Sequence, residues 1–232
     1  MDQLHLTDYE VSAILLSLKV SGWAVAGSLP PGIFCAWLLA RRRFPGKVLV
    51  DGLIHLPLVL PPVVVGYLLL VGLGRNGVVG ALLRDWFGIT LAFTWQGAAV
   101  AAGVVSFPLL VRAVRLSMEQ VDQGLEQAAR TLGASPPRVF VTVTLPLVGP
   151  GILTGVILAF ARSLSEFGAT ITFVSNIPGQ TRTLPIALYT FTQMPGGDAP
   201  AFRLCVISVV LALAALMASE VLARRIQKTL AG

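Results

Sequence analysis

Side chains able to do covalent or metal chemistry are few in these 232 residues, and their spacing does not gather them. Cys35 and Cys205 each lie alone in an apolar run, with no second metal-type ligand nearby. That is how small apolar packing residues occur, and it says little about redox compartment. His5 and His55 are equally isolated, each read as a loop or interface residue. Gly46-Lys47 lacks the earlier glycine and the following hydroxyl of a phosphate-binding loop, so ATP binding by this chain is not expected. Neither an H-E-x-x-H zinc motif nor a nucleophile elbow occurs. What the chain does carry is a set of polar groups embedded in apolar sequence. Lys19, Arg162 and Glu166 are ionisable, and Ser163, Ser165, Thr170 and Thr172 add hydroxyls beside the last two. Arg162 and Glu166 stand at i, i+4, the spacing of an ion pair on one helix face. Lys19 has a stem long enough to carry its charge to an interface.

The elements that must position these groups follow from composition. Hydrophobic residues make up 55% of the chain and charged residues only 12%, with a mean hydropathy of +0.81. A soluble domain carries about twice that charged fraction, so lipid is the expected solvent and intramembrane ionisable residues become functional candidates. Five stretches reach the roughly 20 residues a helix needs to cross a bilayer: Val11–Ala40, Leu53–Leu73, Leu91–Val111, Leu145–Leu164 and Phe202–Ala223. Prolines recur within or beside them, at Pro30-Pro31, Pro57, Pro61-Pro62, Pro108, Pro146 and Pro150, and predict kinks that neighbouring helices re-satisfy. The acidic N-terminus has no basic n-region, so no cleaved signal peptide is expected. Between 166 and 200 the apolar pieces are short, and read as an outward continuation of the fourth span followed by a re-entrant or interfacial helix. A sixth span made by merging them would break the charge pattern.

That pattern sets the orientation. The net charge is +6, and eleven of the 17 basic residues fall in three regions. Arg41, Arg42, Arg43 and Lys47 follow the first span, Arg112, Arg115, Arg130 and Arg138 follow the third, and Arg224, Arg225 and Lys228 follow the fifth. Short basic clusters beside apolar runs mark cytoplasmic flanks rather than a nucleic-acid surface. The N-terminus is therefore expected outside and the C-terminus in the cytoplasm. Neither an internal repeat nor the inverted repeat of secondary transporters is visible, and the chain reads as one membrane domain over 1–232.

The most informative segment is the cytoplasmic loop 119–146, EQVDQGLEQAARTLGASPPRVFVTVTLP. Leu125, Ala128, Ala129 and Leu132 fall at i, i+3, i+4 and i+7 and give a short helix one narrow apolar face. Gly133 follows where a left-handed residue ends a helix. Ser135 is placed to cap a second helix starting at Pro136. A face of small residues can sit deep in a cleft of a partner. Glu119, Asp122, Glu126, Arg130 and Arg138 offer charge pairing around the contact. A helix lying on the bilayer would instead carry bulky apolar residues and a strongly basic face. A docking device is the better reading.

Ala128-Ala129, Gly133, Val143 and Leu145-Pro146 resemble the cytoplasmic "EAA" loop of permease subunits in bacterial ABC importers, with Gln127 where that family has glutamate and Val143 where it has isoleucine. His55–Tyr67, Ser106–Leu109, Phe160–Gly168 and Ser175–Arg182 extend the resemblance to the molybdate permeases of that family, from about Ser12 to Arg225. The sulfate and thiosulfate permeases share the Pro-Pro and Glu-Phe-Gly elements. The resemblance implies an all-α integral membrane protein with about five transmembrane helices (six if the pieces after 166 merge) and a cytoplasmic coupling helix. It implies a non-catalytic subunit of an ATP-driven importer of molybdate, or of tungstate, in a bacterial or archaeal plasma membrane, the inner membrane of a Gram-negative cell. It implies no cofactor on this chain, with ATP-Mg bound by the partner subunit. The implied partners are a second copy of the chain, two cytoplasmic ATP-binding subunits, an extracytoplasmic molybdate-binding protein and membrane lipid. The coupling contact is expected from Leu125, Glu126, Gln127, Ala128, Ala129, Arg130, Leu132, Gly133, Ala134 and Ser135. Molybdate is a tetrahedral dianion whose capture belongs to the binding protein, so its passage should be polar without a fixed array of charges. Pro61, Pro62, Ser163, Ser165, Glu166, Gly168 and Thr170 are the pathway or gate candidates, with Glu166 and Gly168 shaping the outer gate. A stand-alone channel or secondary transporter, and a scaffold without transport, account for less of the pattern.

Overall fold

The computed structural model describes residues 7–231, which contain eleven α-helices and one π-helical turn. In chain order they are α1 (Asp8–Arg41), α2 (Lys47–Val59), α3 (Pro62–Leu73), α4 (Val78–Phe87), α5 (Trp95–Gln120), α6 (Gln123–Thr131), α7 (Pro136–Val139), α8 (Leu145–Leu164), α9 (Gly168–Val174), α10 (Leu184–Thr192) and α11 (Asp198–Ala231), with the π turn Phe140–Thr144 joining α7 to α8. His5 lies outside the described residues, as do the side chains of Arg224, Arg225 and Lys228.

Four stretches are long and apolar enough to cross a bilayer: Asp8–Arg41, Trp95–Gln120, Pro136–Leu164 and Asp198–Ala218. The second expected span is not one kinked helix. Its halves α2 and α3 meet at 116° and make a fifth crossing only as a broken pair. The cause is Pro61-Pro62: neither residue has an N–H to continue the ladder, and Leu60, before a proline, is held extended at φ −71°, ψ 141°. Pro62 then begins α3, where a missing N–H costs nothing.

The third span starts later than Leu91 because Thr94 caps α5, accepting from the Gly97 N–H at 3.1 Å. It then runs nine residues past Val111 to Gln120. The fourth span coincides with α8 and is extended upstream by the π turn. Pro146 offers no N–H to the Thr142 carbonyl, and the turn before it widens, with the Leu145 N–H reaching Phe140 O. No sixth crossing forms in 166–200. The chain breaks at 165–167 rather than continuing α8, and α9 and α10, at seven and nine residues, are each too short to span. Helix α4 carries Val79, Leu82, Leu83, Trp86 and Phe87 at helical spacing, a pattern masked by its ten-residue length.

Helix α5 is the central strut, packed on α1 and α8. Ala98, Ala101, Ala102, Val105, Leu110, Val111 and Val114 are essentially inaccessible. Small side chains along its first half let the neighbouring backbones approach, which is how helices associate where lipid removes the hydrophobic drive. The starts of the first and last helices are also tied. Thr7 and Glu10 form a reciprocal capping box at the start of α1. The buried Glu10 carboxylate then accepts from Arg203 of α11 at 3.0 Å.

Candidate functional site

Two regions gather the residues singled out from sequence. The first is the loop after α5. Asp122 caps α6 by accepting from the Gly124 N–H at 2.8 Å. At the other end Gly133 takes φ +87°, its N–H bonds Arg130 O at 2.9 Å, and the Ala134 N–H bonds Ala129 O at 3.1 Å. Those paired bonds are the Schellman arrangement that satisfies the last carbonyls of a helix. Ser135 occupies the cap position of α7, but its hydroxyl makes no capping bond. Pro137, at the second helical position, removes one of the two N–H groups that a cap hydroxyl accepts from.

Glu126 anchors this device to the rest of the chain. Its Oε1 accepts from Arg41 Nη2 at 2.9 Å and from Thr144 Oγ1 at 2.9 Å. The two side chains of the ion pair are only 10% and 12% exposed. One carboxylate thus joins α6 to the end of α1 and to the π turn that begins the fourth crossing. Glu126 and Glu119 are therefore engaged within the chain, Glu119 with Arg115 at 2.8 Å, rather than free for a partner. The outward face is left open. Leu125 is half-exposed, Leu132 is 88% exposed, Gln127, Ala128, Arg130 and Gly133 are exposed, and Ala129 and Ala134 are partly covered.

The second region lies where α8 breaks. Glu166 is buried. Its Oε2 pairs with Arg162 Nη1 at 2.8 Å and its Oε1 accepts from the Ala169 N–H at 2.8 Å. The i, i+4 pair is real, and the carboxylate also caps α9. Helix α9 then crosses α3 at backbone contact. A Cβ on Gly168 would stand 2.9 Å from Pro62 Cβ, and one on Gly66 would stand 2.6 Å from Ala169 O and 2.9 Å from its Cα. Pro61 sits at the break itself. The hydroxyls do not converge. Ser163 donates to Ser106 Oγ at 3.0 Å and ties α8 to α5. Ser165 is exposed and bonds Arg162 O, Thr170 bonds Phe167 O, and Thr172 bonds Gly168 O. Beyond α9, Arg182 Nε donates to Asn176 Oδ1 and the guanidinium lies 4.8 Å over Tyr9, burial drawing its pKa below the usual arginine value. Lys19 is not free either, since its ammonium lies 3.8 Å over the Trp95 ring.

Sequence reasoning missed Arg41 and Thr144 as partners of Glu126, Ala169 as the neighbour of Gly66, and Ser106 as the partner of Ser163. A usable signal existed only for Arg41, a basic residue ending one span and facing an acid in the next cytoplasmic loop. The others need tertiary contact. His55 Nδ1 lies 3.2 Å from Asp51 Oδ1 on α2, and Asp51 accepts from Arg115 of α5 at 3.0 Å. Among the described residues no group of three or more His, Cys, Asp or Glu is placed to hold a metal.

The sequence profile of the family described as binding-protein-dependent transport system inner membrane component matches residues 28–228. The molybdenum transport system permease protein ModB of Escherichia coli (strain K12) is 67% identical over 219 residues, covering 94% of this chain and 96% of that protein. The sulfate transport system permease protein CysT of Salmonella typhimurium (strain LT2) is 40% identical over 186 residues, covering 80% of this chain and 66% of that protein. A crystal structure of the MetNI methionine ABC transporter, inward-facing, aligns with a TM-score of 0.72 at 17% identity, covering 95% of this chain and 99% of that one.

Proposed function

From the premise that the chain belongs to the family of binding-protein-dependent transport system inner membrane components, we propose that it is the permease subunit of an ATP-driven importer that carries molybdate into the cytoplasm. The observation that carries the substrate is the 67% identity, over nearly the whole of both chains, to a molybdenum permease, against 40% to a sulfate permease. Tungstate, of the same shape and charge, belongs to the same reading.

Energy enters through the α6–Gly133–α7 device. A soluble ATP-binding subunit seats against Ala128 and its neighbours, a face that the described residues leave open at Gln127, Ala128, Arg130 and Gly133. The Glu126–Arg41–Thr144 junction then passes its movement to α1 and α8 together. Supporting this are the exposure of the small-residue face and the burial of the one ion pair behind it. Two copies of the chain enclose the passage, two ATP-binding subunits lie below, and an extracytoplasmic molybdate-binding protein delivers the anion from above. The basic loops after α1 and α5 support a cytoplasmic position for those ends, with the N-terminus outside and the C-terminus inside. The region around α9 forms the outer gate. Its Arg162–Glu166 pair carries no net charge, and most of its hydroxyls bond their own backbone, so nothing there holds a dianion long enough to delay release.

Purification of the complex with its ATP-binding subunit, followed by binding-protein-stimulated ATP hydrolysis with molybdate, tungstate and sulfate in parallel, tests the proposal. Stimulation by the first two and not by sulfate is the expected result. Stimulation by sulfate alone overturns the substrate, and absence of a co-purifying ATPase overturns the importer.

A further inference from the structure

A cavity of about 650 Å³ opens between the C-terminal half of α1 and the α6–α7 loop. One wall is a single stripe of α1: Pro30, Ile33, Phe34, Trp37 and Arg41, at the i, i+3, i+4, i+7, i+11 spacing of one helix face. Phe140 of the π turn continues the apolar lining, and Arg42 and Arg130 complete the basic end. The cavity is therefore amphipathic along its length. Eleven residues of helix rise roughly 16 Å, close to the roughly 15 Å of hydrocarbon in one leaflet. Its apolar end lies within the first crossing, at a depth a soluble subunit does not reach, and Phe34 there is 59% exposed.

The basic end holds unspent donors. Arg41 is nine-tenths buried, and while its Nη2 serves Glu126 and Val121 O, its buried Nε–H has no acceptor among the described residues. A buried donor without a partner is costly and marks a missing acceptor. Arg42 lies 5.3 Å over the Trp37 ring, and among the described residues neither Arg42 nor Arg130 has an ion-pair partner. Against three guanidinium groups the cavity offers one carboxylate, Glu126, already bonded to Arg41. The lining thus calls for an anion joined to an apolar chain.

We propose that this cavity binds an anionic phospholipid of the cytoplasmic leaflet, its phosphate among Arg41, Arg42 and Arg130 and an acyl chain along Phe34, Trp37 and Phe140. Basic pockets between helices on the cytoplasmic side suit such headgroups. The inference rests on the cytoplasmic placement of the α6–α7 loop, and it makes the lipid part of the junction that links that loop to α1. Bound there, the lipid supplies the acceptor that Arg41 lacks and stiffens the lever behind the coupling face.

Native mass spectrometry of the intact detergent-solubilised complex, titrated separately with phosphatidylglycerol, phosphatidylcholine and inorganic phosphate, tests this. Phosphatidylglycerol should be retained in preference to phosphatidylcholine. Arg42→Gln, at an exposed position that leaves the fold intact, should weaken its retention by roughly tenfold, as expected for loss of a charge-assisted bond. Phe34→Ser should weaken both lipids. Equal retention of the two lipids, or phosphatidylglycerol binding unchanged in Arg42→Gln, overturns the proposal. Displacement of the lipid by millimolar inorganic phosphate overturns the lipid as occupant and leaves a soluble-anion site. Loss of lipid binding only when the ATP-binding subunit is present assigns the cavity to that subunit and overturns the proposal equally. Lipid retention is read on the permease whatever its transport activity, so this failure is distinguishable from failure of the importer reading.

Discussion

The α6–α7 loop and the α3–α9 crossing are both built on small residues, and use them in opposite ways. In the loop, Ala128 is exposed, uncovered among the described residues. At the crossing, Gly66 and Gly168 let two backbones meet where no Cβ fits. The first lets the helix enter a cleft of another molecule. The second removes a side chain so that the protein can fill its own interior. Each region also has one carboxylate, Glu126 or Glu166, that pairs with an arginine and takes a second hydrogen bond. Small residues in a sequence therefore do not separate docking from packing; burial does.

The strongest way to break the comparison is to remove the loop's anchor. Glu126→Ala leaves Arg41 charged and nearly buried, a loss of about 3–5 kcal/mol for such pairs. Hydrogen exchange of the α6 amides should rise sharply and the ATP-binding subunit should no longer co-purify, while α3 and α9 stay protected. A Glu126→Leu, Arg41→Met double variant should recover much of the protection. Next, Gly66→Val drives a side chain into the Ala169 backbone, an overpacking cost of about 1–3 kcal/mol. The detergent-solubilised protein should lose thermal stability, with the loop's exchange unchanged.

Gly133→Val forces a β-branched residue to φ +87°, about 1–2 kcal/mol confined to the α6–α7 turn. Stimulated ATP hydrolysis should fall while the melting temperature of the permease barely moves, and normal transport would sink the coupling role of the turn. Smallest of all, Leu132→Ser at an 88% exposed position should alter stability by less than about 0.5 kcal/mol. Any loss it causes should appear only in affinity for the ATP-binding subunit.

The spans are legible in the sequence because hydropathy over about 20 residues is a local property, and so are Gly133 and the helix flanking it, whose signals sit within a few positions. The 116° break is only half legible. Pro61-Pro62 announces an interruption, but its angle depends on α9 lying against α3. Ser135 shows a local rule weakened by its own neighbour, Pro137, which lacks a donor the cap would use. For Ser163 and Glu166 the residue types mark a polar place inside the membrane, yet the bond of Ser163 to Ser106 turns on how α5 and α8 meet, and the local bond of Glu166 to Ala169 on the chain breaking at 165–167. Glu126 reads from sequence as a docking charge, and its inward turn toward Arg41, 85 positions away, is set by the packing of α1 rather than by the loop.

The most direct test of the central claim is thiol cross-linking from Ala128→Cys, in a Cys35→Ser, Cys205→Ser background, to cysteines introduced in the co-purified ATP-binding subunit. A cross-linked product whose yield changes with ATP and molybdate is the predicted result. An intact complex in which the introduced thiol is freely alkylated, with no product at any tested position, would contradict the account.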